Sequence, residues 1–90
     1  MLERHLTIIN ALGLHARAAA QLVRLAGHFR CQITLKRLDT GVTANAKSIL
    51  SVLYIAAGHG VELNVTADGE DEIEAIEAIE KLFLDGFGEM

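Results

Sequence analysis

The apolar pattern of this chain switches repeatedly between the period of a strand, about 2 residues, and that of a helix, about 3.6, and glycine stands at most of the switches. Leu2 to Ile9 alternates enough for a first strand. After His15, Ala19, Leu22, Val23 and Ala26 fall at helical spacing on one face, leaving Arg17, Gln21, Arg24 and His28 on the other, with Gly27 as the stop. Phe29 to Leu38 alternates again through Cys31, Ile33 and Leu35, and Asp39-Thr40-Gly41 turns it into Val42-Thr43-Ala44 as a hairpin. Ser48 to Ala57 is mostly apolar, so periodicity alone leaves it open between a buried strand and a short helix. Lys47-Ser48 ahead of it favours a capped helix ended by Gly58. Val61 to Ala67 alternates, and Asp68-Gly69 leads into a helix over Glu70 to Leu84 with Ile73, Ile76, Ile79 and Phe83 on one face. Glu70, Asp71 and Glu72 then complement the dipole in its first turn, and Lys81 does so near its end.

The resulting order, βαββαβα, predicts an α+β domain of two layers, a sheet under three helices, over the single unit 1–90. Its 51% hydrophobic content is enough for one modest core. A ferredoxin-like sheet with an added helix is the competing arrangement, because periodicity does not fix strand order. The formal charge of −4 argues against nucleic-acid binding, which relies on a basic surface. The lone Cys31 forms no internal disulfide and reads as a small buried residue. No signal peptide and no apolar run of about 20 residues is seen, so no membrane insertion and a cytoplasmic location are expected.

The stretch Gly13-Leu14-His15-Ala16-Arg17 sets a histidine where a strand end hands over to a helix. The first N–H groups of a helix have no partner within it and carry the positive end of its dipole. A phosphoryl group on His15 would therefore meet amide donors and the Arg17 guanidinium. A free imidazole has a pKa of about 6.5, so near neutral pH much of it is nucleophilic.

Asn10 to Arg17 resembles the phosphorylation site of the HPr family, the histidine-containing phosphocarriers of bacterial phosphotransferase systems. Lys47-Ser48-Ile49 resembles that family's regulatory serine site, and Gly58-x-Gly60 followed by Val65-Thr66-Ala67-Asp68-Gly69 resembles its last strand and turn, so the likeness spans nearly the whole chain. The resemblance implies an open-faced β-sandwich, a four-stranded antiparallel sheet covered on one face by three helices. It also implies phosphorylation of His15 at Nδ1 by Enzyme I charged with phosphoenolpyruvate, onward transfer to an Enzyme IIA-type acceptor, and no cofactor. Arg17 would offset phosphoryl charge, its fork suiting the oxygens better than a lysine. Ala18 stands where the family often has proline, which weakens pre-organisation of the helix start rather than the chemistry.

Serine is a common helix N-cap, and Ser48 needs no further role to explain its presence. The resemblance adds phosphorylation by a dedicated HPr kinase/phosphorylase using ATP, which would set charge beside an apolar docking face. Most of Ile49, Leu50, Leu53 and Tyr54 are expected in the core, but a helix has one inward face, so Leu50 or Leu53 leaves an exposed patch suited to partner helices. The candidate partner-binding residues are Ala20, Gln21, Arg24, Lys47, Ile49, Leu50 and Leu53, with Gln21 and Arg24 as a polar rim. His5, His28 and His59 have no metal-ligand spacing with one another or with Cys31, and no metal is assigned.

A monomeric phosphocarrier is the reading these features favour. A regulatory binding protein acting through phospho-Ser48 is the alternative, although such relatives lack the active histidine that this chain has. A small hydrolase pairing Ser48 with His15 and an aspartate is disfavoured, since no Gly-x-Ser-x-Gly elbow surrounds Ser48 and 90 residues leave little room for a substrate pocket. The sugar and nitrogen branches of phosphotransfer both find echoes. Lys47-Ser48-Ile49 fits the former, while His15-Ala16-Arg17-Ala18-Ala19 and the ending Phe83-Leu84-Asp85-Gly86-Phe87 fit the latter.

Overall fold

Seven regular elements follow the expected order in the computed structural model, which describes residues 1–55 and 57–90. They are β1 (Leu2–Thr7), α1 (Ala16–Ala26), β2 (Gln32–Arg37), β3 (Thr43–Asn45), α2 (Ile49–Tyr54), β4 (Glu62–Asp68) and α3 (Glu72–Leu84), with a short 3₁₀ turn over Gly86–Gly88. The strands form one sheet in the order β1-β4-β2-β3, antiparallel throughout. The last strand thus lies between the first and second, and β1 is at an edge. A ferredoxin-like sheet would bury its first strand centrally, so strand order decides between the two arrangements.

Alternation explains why the sheet accepts helices on only one face. Leu6 sits opposite Leu63, and Leu35 stands between Val65 and Ala44, all of them buried together with Ile33 and Ala67. The intervening Glu3, His5, Lys36 and Glu62 are exposed on the open face. α3 packs on β1 and β4, α2 on β3, and α1 against both other helices. The buried side of α1 is Ala18, Ala19, Leu22 and Ala26, so small residues let it approach closely.

Several boundaries move for identifiable reasons. The second strand starts at Gln32 rather than Phe29 because Asp71 takes the N–H groups of Arg30 and Cys31, at 2.8 and 2.9 Å, away from the ladder. The same residue occupies the N-cap position of α3, so Glu70 lies before that helix rather than in its first turn, and Gly69 N donates to Glu72 Oε1 at 3.0 Å. The inward face of α3 is Ala75, Ile76, Ile79 and Phe83, whereas Ile73, expected among them, is 57% exposed. The first strand ends at Thr7, two residues before the expected Ile9.

α2 ends at Tyr54, short of the expected Ala57, and Ala56 of that run lies outside the described residues. The Ala57 carbonyl instead accepts from Leu14 N at 2.8 Å. The helix buries only Val52, so the expectation that Ile49, Leu50, Leu53 and Tyr54 mostly serve the core is overturned. All four are exposed, Leu50 at 77% and Tyr54 at 79%. So short a helix lying beside α1 has room for one inward residue, and its remaining apolar side chains face out.

Candidate functional site

The site begins where β1 has ended. Gly13 N closes a turn onto the Asn10 carbonyl at 3.1 Å, and Gly13 adopts φ +66, a left-handed conformation that costs a glycine little. Leu14 is buried, and His15 follows in extended backbone as the N-cap of α1, its carbonyl accepting from Ala19 N at 2.8 Å. The first-turn N–H groups of Ala16, Arg17 and Ala18 precede the first intrahelical bond. The His15 side chain makes no capping bond to them, so the ring is not used up in closing its own helix. Its side chain is 28% exposed, enough for a partner to reach.

The ring is held from the other end of the chain. His15 Nε2 contacts Glu89 Oε2, and Glu89 Oε1 accepts from Asn10 Nδ2 at 2.8 Å. The Asn10 donor holds the Glu89 carboxyl below the usual carboxylate range, against the opposing effect of burial, with His15 and the charge of Arg17 adding to the lowering. Arg17 is exposed and, together with Ala11, Leu12, Gly88 and Glu89, lines a hollow of about 440 Å³. His15 and Arg17 are thus brought to one region, with Arg17 lying on the solvent side of the helix start.

A second hollow, about 590 Å³, runs along the outer face of α1 between Arg17, Ala20, Gln21, Arg24 and His28. Three of the sequence-assigned docking residues, Ala20, Gln21 and Arg24, therefore share one surface. Ile49, Leu50 and Leu53 form an exposed apolar surface on the neighbouring α2. Lys47 is drawn into a structural bond, with Nζ donating to the Phe29 carbonyl at 2.6 Å. Ser48 is the N-cap of α2: its Oγ accepts from Ser51 N at 3.4 Å, and its carbonyl accepts from Val52 N at 3.0 Å.

Sequence reasoning missed Glu89 and the part played by Asn10. Asn10 sits within the motif, but Glu89 belongs to no local pattern, and only the fold brings it 74 positions back to His15. Among the described residues, no cluster of three His, Cys, Asp or Glu side chains could hold a metal ion, and no helix is long and apolar enough to cross a membrane.

Comparison with known proteins points to one family. Residues 2–85 match the family described as the PTS HPr component phosphorylation site. The chain is 48% identical over 89 residues to the phosphocarrier protein HPr of Cupriavidus necator, covering 99% of this chain and 98% of that one. It is 46% identical over 89 residues to HPr of Xylella fastidiosa strain Temecula1, again covering 99% and 98%. Among solved structures, HPr-C-His from Thermoanaerobacter tengcongensis superposes with a TM-score of 0.94 at 38% identity, covering 100% of this chain and 99% of that one.

Proposed function

This chain belongs to the HPr family of phosphocarrier proteins of the phosphotransferase system, and from that premise we propose that His15 accepts a phosphoryl group from Enzyme I charged with phosphoenolpyruvate and passes it to an Enzyme IIA-type acceptor. The observation that carries this reading is the His15 ring itself, standing at the N-terminus of α1 without capping it, beside first-turn N–H groups and Arg17. Those donors offset charge on a phosphoryl group bound at Nδ1, and a phosphorus–nitrogen bond is labile enough to pass the group on. The protein acts as a transfer intermediate in the cytoplasm, as a single copy, with no cofactor.

Docking is assigned to the surface of Ala20, Gln21 and Arg24 on α1 with Ile49, Leu50 and Leu53 on α2, and Lys47 at its border. An exposed apolar strip with a basic rim suits an amphipathic, acidic partner surface. Ser48, at the base of α2, is assigned as the site at which an HPr kinase/phosphorylase adds a regulatory charge.

Incubation with phosphoenolpyruvate and Enzyme I tests the reading. One phosphoryl group, stable to base and labile to acid, should appear on wild type and be absent from His15→Ala. Parallel reactions with Enzyme I from the sugar and nitrogen branches identify the donor. Labelling of His15→Ala at the wild-type rate would remove His15 from the centre of the mechanism.

A further inference from the structure

Glu89 contacts the nucleophile and Asn10 holds Glu89, and the hydrogen-bonding capacities of these two side chains restrict the state of His15. Asn10 is 1% exposed, and its Nδ2 donates both to Glu89 Oε1 at 2.8 Å and to the Gly13 carbonyl at 2.9 Å. Both neighbours are acceptors at those atoms, so turning the amide over would set Oδ1 against two oxygens. Oδ1 is buried without a hydrogen-bond partner among the described residues, which marks this orientation as one imposed by Glu89 and Gly13. The carboxylate is placed by the 3₁₀ turn: Gly86, Phe87 and Gly88 all have left-handed φ, and Phe87 is anchored in the core 5.0 Å from the Phe83 ring.

An ionised carboxylate can only accept, and Glu89 is held ionised by the Asn10 donor. Its contact with His15 Nε2 therefore calls for the proton on that nitrogen, leaving the lone pair on Nδ1. We propose that Glu89 is a positioning residue for phosphoryl transfer: through Oε2 it fixes the His15 ring in the Nε2–H tautomer, so that Nδ1 is the nucleophile. This rests on the phosphocarrier reading and deepens it. In the transfer step the Nδ1 lone pair forms the nitrogen–phosphorus bond, while the bond from phosphorus to the donor's leaving atom breaks and its electron pair stays with the donor. The proton on Nε2 does not move. The ring gains one positive charge, which the facing Glu89 carboxylate offsets, and the phosphoryl charge is carried by the opposite nitrogen.

Two variants separate positioning from packing. In Glu89→Gln, Asn10 Nδ2 still needs an acceptor and takes the new side-chain oxygen, so the new amide nitrogen faces His15 Nε2 and donates to it. That moves the ring proton to Nδ1 and blocks the attacking lone pair. The nearly isosteric Glu89→Gln should therefore transfer at least about tenfold more slowly than Glu89→Ala, a wrong-tautomer effect, with KM in the Enzyme I reaction unchanged. The reverse order, or equal rates in all three proteins, overturns the proposal. Ring ¹⁵N shifts of unphosphorylated His15 at alkaline pH read the tautomer without any transfer, with Nε2–H expected in wild type and Nδ1–H in Glu89→Gln. The same tautomer in both proteins also overturns it. If wild type accepts no phosphoryl group from either Enzyme I, the phosphocarrier reading fails, and the ring shifts still decide whether Glu89 sets the tautomer.

Discussion

Gly13 rests directly against Ala57: a Cβ at position 13 would stand 2.5 Å from the Ala57 carbonyl oxygen, which accepts from Leu14 N at 2.8 Å. The same Cβ would lie 2.6 Å from Gly58 Cα. The handover that presents His15 is thus pressed against the Ala57–Gly58 backbone with no room for a side chain, and its φ of +66 adds a second demand for glycine. Sequence, conformation and site geometry meet at this one position.

Gly13→Ala should destabilise the fold by about 2–4 kcal/mol, combining left-handed strain with a backbone clash, and should slow phosphoryl transfer by shifting the helix start. Gly41→Ala is the control. It also has a left-handed φ, +77, but nothing within 4 Å of its Cβ position, so only the conformational cost of about 1–2 kcal/mol remains. Urea unfolding of both variants checks the difference, and equal losses would show that contact with Ala57 and Gly58 does not matter.

Arg17 makes a different case, because it is exposed and contributes nothing to the core. Arg17→Ala should raise the barrier to transfer by about 2–4 kcal/mol if its guanidinium meets charge that develops on the phosphoryl group. The urea midpoint should change little, as for a surface substitution worth about 0.5 kcal/mol or less. Single-turnover labelling from phosphorylated Enzyme I measures the first effect; a wild-type rate would take Arg17 out of the site.

Asp71 links α3 to the loop before β2, and its carboxyl is held below the ordinary range first by the Arg30 N–H, against the effect of burial, with the Cys31 N–H and thiol acting in the same direction. The unfolded chain therefore binds a proton at Asp71 before the folded one does. The contribution is fully present above the unfolded carboxylate value of about 3.9 and is lost as pH falls from there through the lower folded value. Asp71→Ala should consequently be less stable than wild type at pH 7, with a gap that narrows in acid. Denaturant unfolding at neutral and acid pH reads this directly, and a gap independent of pH would show that ionisation of Asp71 contributes nothing.

The strands and long helices were legible because each carries its own period. Leu35, Val65 and Ala67 face inward as their alternation requires, and Ala19, Leu22 and Ala26 share the buried stripe of α1. His15 at a helix start could be read from Gly13 and the alanine-rich run that follows. What local pattern could not convey was any bond spanning the chain. Gln32 opens β2 because Asp71 claims the residues before it, and Glu89 is brought to His15 by the packing of α3 on the sheet and the turn of the chain at Phe87.

The outward apolar face of α2 illustrates a different limit. Ile49, Leu50, Leu53 and Tyr54 are core-type residues, and composition assigns such residues inward. Their exposure follows from the shortness of the helix and from its position beside α1, both of which are tertiary facts. The exposed apolar patch is therefore larger than the one or two leucines expected.

Ser48 stands at the foot of that patch, and its two assigned roles give opposite outcomes in one pair of variants. Its Oγ accepts from Ser51 N, so Ser48→Ala should cost roughly 1 kcal/mol of stability through loss of the cap, with phosphoryl transfer nearly intact. Aspartate caps a helix about as well as serine and places a negative charge at the positive end of α2, so Ser48→Asp should fold at least as well as Ser48→Ala. The same charge lies beside Ile49 and Leu50, where desolvating it against a partner opposes docking. Enzyme I should therefore bind Ser48→Asp, and the protein phosphorylated at Ser48 more markedly, with lower affinity than wild type, while thermal unfolding reports an intact fold. Calorimetric titration of Enzyme I into the three proteins makes the comparison, and equal affinities would leave Ser48 as the cap of α2 and nothing more.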